Sequence, residues 1–186
     1  MRILFCLMLF AFAANAQEKN YDNTFATTSG KVHFFSKTPL EDIEAATQKA
    51  IGVFDTKTKK VQAKIPISSF EFRQKLMQEH FNENYLESDK YPYANLDGVV
   101  VEEIDYTKDG AKEVTMKGAL TVHGIKKPRD IKVKITVKDG VPANVVSEFN
   151  ILLVDHKIKI PKAVLLNIAE VIKVDLNFDL AKYEKK

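Results

Sequence analysis

The feature that most constrains this chain is a two-residue alternation of apolar and polar side chains, repeated in four separate stretches. Val61, Ala63, Ile65 and Ile67 alternate with Gln62, Lys64, Pro66 and Ser68. Val114, Met116, Gly118, Leu120 and Val122 alternate with Thr115, Lys117, Ala119, Thr121 and His123. Ile131, Val133, Ile135 and Val137 alternate with lysines and Thr136, and Ile172, Val174, Leu176, Phe178 and Leu180 with Lys173, Asp175, Asn177, Asp179 and Ala181. Successive side chains of a strand point to opposite faces, so each stretch reads as a strand with one buried and one wet face. Only antiparallel sheets commonly leave a face in water.

Weaker strands are expected at residues 23–28, 31–36, 43–54, 94–106 and 144–154. Asp109-Gly110 and Asp139-Gly140 fall between strands, where a tight hairpin needs residues that tolerate positive φ. Gly52, Gly98, Gly118 and Gly124 lie within or at the ends of strands, where a curling sheet bends. Two short helices interrupt the pattern. Ser68 and Glu71 have capping-box spacing, and Leu76, Met77, His80, Phe81 and Tyr85 then recur every three or four residues. The second helix is expected over Pro161–Ala169. With about eight strands and no β-α-β rhythm, the fold class is all-β and antiparallel, and closure into a barrel removes the exposed edges. Such a barrel either fills with side chains or holds one small ligand. Periodicity is compatible with both.

The chain has 186 residues, enough for one domain. Its first residues are distinct. Arg2 is followed by an apolar run, Ile3 to Ala14, and Ala14-Asn15-Ala16 places small residues where a signal peptidase reads. The run is shorter than the roughly 20 residues of a membrane span. Residues 1–16 are therefore expected to be a signal peptide and 17–186 the folded domain, exported to a periplasm or the outside medium. Cys6, the sole cysteine, leaves with the leader, so neither a disulfide nor a thiolate site is available. The net charge of +3 and the lack of a basic-aromatic motif argue against nucleic acid.

Several motifs resemble the YceI-like family. Gly118-Ala119-Leu120-Thr121-Val122-His123-Gly124, running on to Pro128, is similar to that family's G-x-L-T stretch. Tyr91-Pro92-Tyr93-Ala94 resembles its KYP-x-A segment, and Phe149-Asn150-Ile151 with Asp155-His156-Lys157-Ile158 its F-x-I and R-x-D-Y-G-I region. Val171-Ile172-Lys173-Val174 resembles its last strand. The sequence departs from the family at His156, where an aromatic residue is usual, and at Lys157, where glycine is. The resemblance implies a lipocalin-like barrel, usually exported, whose lumen takes up polyisoprenoid chains such as quinones or prenyl phosphates.

On that reading the apolar wall would be built from Phe70, Phe72, Leu76, Met77, Phe81, Tyr85, Tyr91 and Tyr93, with the inward strand positions Leu120, Val122, Val133, Ile135, Phe149 and Ile151. Arg73, whose fork suits phosphate, and His80 are head-group candidates. Lys126, Lys127, Arg129, Lys132 and Lys134 form a basic cluster suited to transient contact with a membrane surface, or simply a solvated barrel exterior. No histidine pair has metal-site spacing, and the chain lacks a nucleophile elbow and a phosphate loop. Asp155 and His156, read as strand neighbours, would point apart. The expectation is a non-enzymatic, cofactor-free carrier of a long apolar molecule, monomeric or weakly dimeric. A filled structural or stress-response barrel and a barrel-based hydrolase or isomerase are the alternatives.

Overall fold

The computed structural model describes residues 21–161 and 166–184. The expected leader lies outside them. The strands are β1 (Thr24–Lys37), β2 (Asp42–Asp55), β3 (Lys60–Pro66), β4 (Glu71–Phe72), β5 (Tyr93–Val100), β6 (Gly110–Val122), β7 (Ile125–Lys138), β8 (Val141–Leu152), β9 (Val171–Asp179) and β10 (Ala181–Lys182). One short helix, α1 (Lys75–His80), widens into a π turn over Phe81–Tyr85. Strands β1, β2, β3, β5, β6, β7, β8 and β9 pair in that order, every pairing is antiparallel, and β9 returns to β1. The result is a closed up-and-down barrel. The two-residue strands are additions, β4 on β2 and β10 on β1.

Closure depends on one long strand. The segments 23–28 and 31–36 are a single strand, β1, whose register shifts on either side of Gly30. The bulge bends β1, so it pairs with β2 along its length and with β9 over Lys31–Phe35. Gly30 and Gly52 also make room for the Phe178 ring. A Cβ at either would fall within 2.6 Å or 2.5 Å of it. Phe178 thereby fills the end of the barrel opposite α1, together with Phe54, Val100, Met116 and Ile135.

The tightest hairpins obey one rule. At Asp139-Gly140 both central residues have positive φ, +54° and +79°, and Lys138 pairs with Val141. His123-Gly124 does the same at +49° and +70°, with Val122 paired to Ile125. These are the turns whose twist matches that of the flanking strands. His123 is thus a turn residue, and the strand ends one residue before it. Asp109-Gly110 is different, because Gly110 opens β6 after a longer loop. Residues 101–106, expected as strand, belong to that loop. Its backbone is held by Val101 N–H donating to the Thr115 carbonyl, and Thr115 N–H donating to Glu102.

The Ser68–Glu71 capping box does not form. Ser68 lies in a 3-10 turn, Ile67–Ser69, Glu71 is in β4, and α1 begins later, after Gln74, with no side-chain cap. Burial of Phe70, 5% exposed, holds this segment extended across the barrel mouth, so packing overrides the local preference. Of the second expected helix, residues 162–165 lie outside the described residues, and 166–168 are turn and bend. Asp155 and His156 belong to a 3-10 turn, Leu153–His156, that follows β8, so they are not strand neighbours. Lys157 closes that turn at φ +55°, the conformation that explains the family's glycine there.

An apolar cavity open at one end of the barrel

The upper half of the barrel is hollow. A cavity of about 290 Å³ lies between the strand interiors and the α1 segment. Its wall is apolar: Val32 and Phe34 from β1, Ile65 from β3, Leu96 from β5, Leu120 and Val122 from β6, Phe149 and Ile151 from β8, and Ile172, Val174 and Leu176 from β9. Alternation along each strand turns these residues inward. The lower half is nearly filled. A void of about 40 Å³ remains there, bounded by Met116, Ile131, Val133, Ile135 and Phe178. Leu96 and Leu176 border both spaces. They stand on β5 and β9, opposite strands of the ring, and together form a floor between the two.

Aromatic rings crowd the mouth. Phe34 stacks on Phe81 at 5.4 Å between centroids and meets Phe70 and Phe72 at 5.4 and 5.7 Å. Phe81 also packs on Phe70 and Phe72, at 5.7 and 5.0 Å. Contacts of this type contribute roughly 0.5–1.5 kcal/mol each beyond area burial. The segment after α1 is fixed to the barrel at a second point. His123 Nε2 lies 2.6 Å from the Glu87 carboxylate, and its Nδ1 donates to the His156 carbonyl, 3.1 Å away. The bond to His123 holds the Glu87 carboxyl below its usual range. Tyr91 packs edge-on to His123 and lies over Gly124, where a Cβ would come within 2.5 Å of its ring. His156 itself is fully buried, and its Nδ1–H donates to the Ile125 carbonyl at 3.0 Å. Burial pushes its pKa down, and the nearby Arg129 charge acts in the same direction.

Of the residues selected from sequence, Phe70, Phe72, Met77, Phe81, Tyr85, Leu120, Val122, Phe149, Ile151 and His80 line the cavity. Burial raises the Tyr85 phenol pKa. The others lie elsewhere. Leu76 faces solvent on α1. Tyr91 belongs to the His123 contact, and Tyr93 points outward under Lys64 Nζ, 3.8 Å from its ring centroid. Val133 and Ile135 border the small lower void. Arg73 is bonded to Glu44 at 2.6 Å with its side chain 86% exposed, and it is not part of the cavity wall. In the basic cluster Arg129 is bound to Asp155 and Lys132 Nζ donates to Thr115, while Lys126 and Lys134 face solvent.

The cavity also holds residues that sequence reasoning passed over. Phe34 was accessible in principle, since Val32, Phe34 and Ser36 alternate inward. Glu41 and Asn167 carried no such signal, because both sit in loops. Folding brings them together, Asn167 Nδ2 donating to Glu41 Oε2 at 3.0 Å beside the cavity. Among the described residues no three His, Cys, Asp or Glu side chains are grouped to hold a metal, and no helix is long and apolar enough to cross a membrane.

These features define a class: a closed, up-and-down antiparallel barrel with an apolar cavity open at one end. Within that class the chain belongs to the YceI-like family, whose domain it matches over residues 10–180. Similar solved structures include a polyisoprenoid binding domain from Saccharophagus degradans implicated in plant cell wall breakdown. It has a TM-score of 0.70 and 13% identity, over 87% of this chain and 99% of that one. BcnA of Burkholderia cenocepacia has a TM-score of 0.64 and 17% identity, over 82% and 96%. The YCEI protein of Campylobacter jejuni has a TM-score of 0.52 and 18% identity, over 100% and 94%. At these identities the likeness is one of fold. No curated protein matches the chain.

Proposed function

We propose that this protein is an exported, non-catalytic carrier that holds a polyisoprenoid or similar long-chain lipid in the upper lumen. The observation that carries the reading is the cavity of about 290 Å³ with an almost wholly apolar wall, open where aromatic rings gather. It is about twice the size of the ~150 Å³ engineered cavity that admits benzene, and close to the lower end of small-molecule sites. A chain buried there gains about 25 cal/mol per Å² removed from water, so few directed contacts are needed. Family membership and the polyisoprenoid-binding neighbour support the same ligand class. Export is supported by the apolar run Ile3 to Ala14 and the small residues of Ala14-Asn15-Ala16, read from the sequence as a leader.

The test is native mass spectrometry of the mature protein purified from its exporting host, followed by solvent extraction and lipid analysis. A stoichiometric adduct that extracts as a prenyl lipid is the expected result. A bare protein mass that added isoprenoids leave unchanged would refute the carrier reading in favour of a filled structural barrel.

A further inference from the structure

The polar groups of the cavity are not distributed evenly. Five polar side chains, Ser36, Glu41, His80, Tyr85 and Asn167, border it. Ser36 is at the upper end of β1, Glu41 in the turn to β2, His80 and Tyr85 in the α1 segment, and Asn167 in the connection from β8 to β9. All five therefore stand at the same end of the barrel, the end that α1 covers. Below them the wall is apolar down to the floor formed by Leu96 and Leu176. A polar head pushed to that floor would lose its water and find no partner there, which disfavours that orientation. An amphiphile consequently enters tail first and leaves its head at the mouth.

The charges there discriminate between heads. Among the described residues that border the cavity, Glu41 is the one acidic side chain, and neither a lysine nor an arginine is present. Asn167 donates to one carboxylate oxygen of Glu41 and orients it. Among the described residues no cation pairs with Glu41, whereas Glu44 further along β2 is bonded to Arg73. A carboxylate is an acceptor only. It rewards a head group that donates a hydrogen bond and opposes one that brings negative charge.

We infer that the mouth selects an uncharged, hydroxyl-bearing head group, that of an isoprenoid alcohol or hydroquinone, over a phosphate, with Glu41 as the specificity-determining residue. This rests on the carrier reading above. The experiment compares geranylgeraniol with geranylgeranyl monophosphate on the delipidated mature protein, by displacement of a fluorescent apolar probe. The wild type is expected to bind the alcohol at least about tenfold tighter than the monophosphate. Glu41→Lys should reduce that ratio by at least about tenfold, and Glu41→Gln should reduce it partly, through tighter binding of the monophosphate. Both substitutions fall in the turn between β1 and β2, and an unchanged far-ultraviolet circular dichroism spectrum with retained uptake of the apolar probe itself reports that each variant is folded.

Equal affinities in the wild type, a preference for the monophosphate, or a ratio that Glu41→Lys leaves unmoved would each overturn the head-group assignment while the carrier reading stands. Failure of both lipids to bind the wild type would overturn the two together.

Discussion

Leu96 and Leu176 separate the main cavity from the small void beneath it, so truncating one should lengthen the tail that the barrel accepts. Leu96 is the better choice, because it is 5% exposed and central in β5, paired on both sides. Leu96→Ala removes three carbon atoms from the floor. Space for about three methylenes, at about 0.8 kcal/mol each, corresponds to roughly 2.4 kcal/mol, or about fiftyfold in affinity. The empty variant should be less stable by about 2–5 kcal/mol, the usual cost of a buried leucine truncation. A saturating long-chain alcohol should restore more of this loss than a short one. The assay is a homologous series of linear isoprenoid alcohols, with affinity and thermal midpoint measured for wild type and variant. The optimum should move to the longer chains in the variant, with the short-chain affinities little changed. An unchanged optimum, alongside the expected stability loss, would refute the idea that these two leucines limit tail length.

Three further outcomes follow from the geometry. Gly52→Ala should destabilise the barrel by about 1–3 kcal/mol in denaturant unfolding, because the new Cβ would lie 2.5 Å from the Phe178 ring, and a neutral result would mean that the ring shifts freely into the void beside it. His156 is buried with its pKa pushed down, so below about pH 6.5 the unfolded chain takes up a proton that the folded one refuses. Stability is then full above that pH and falls as pH drops towards the folded pKa; calorimetry between about pH 7.5 and about pH 5.5 should show a shallower decline for His156→Gln, and parallel curves would dismiss His156 as the cause. Leu40, Leu76, Val154 and Leu166 are each at least 60% exposed and lie in segments at the open end, a rim suited to contact with a lipid surface. Leu76→Asp with Val154→Asp should slow lipid uptake from vesicles several-fold without changing the affinity for a dispersed short-chain alcohol, whereas equal uptake rates would remove the rim from the loading step.

The strand interiors were legible in the sequence because burial on one face of a pleated strand imposes period two, a local rule that β6, β7 and β9 follow closely. Asp139-Gly140 was equally readable, since positive φ is a property of the residues themselves. The errors fell where local and tertiary preferences compete. Ser68 and Glu71 have the spacing of a helix cap, yet Phe70 and Phe72 gain more by joining Phe34 and Phe81 at the mouth. Periodicity also assigned Val133 and Ile135 to the same interior as Leu120, correctly, but it carries no information on depth along the barrel axis. Depth decides which inward residues border the cavity and which pack around Phe178. The pairing of Glu41 with Asn167 is further still from any sequence signal, since 126 positions separate them and both lie in connections between strands. The strands, their faces and most of the wall chemistry can be read from the amino-acid order, because those depend on neighbours along the chain. Where the lumen is hollow, where its floor lies and which acidic side chain stands at its mouth emerge only on folding, because closing the barrel brings together residues that are not neighbours along the chain.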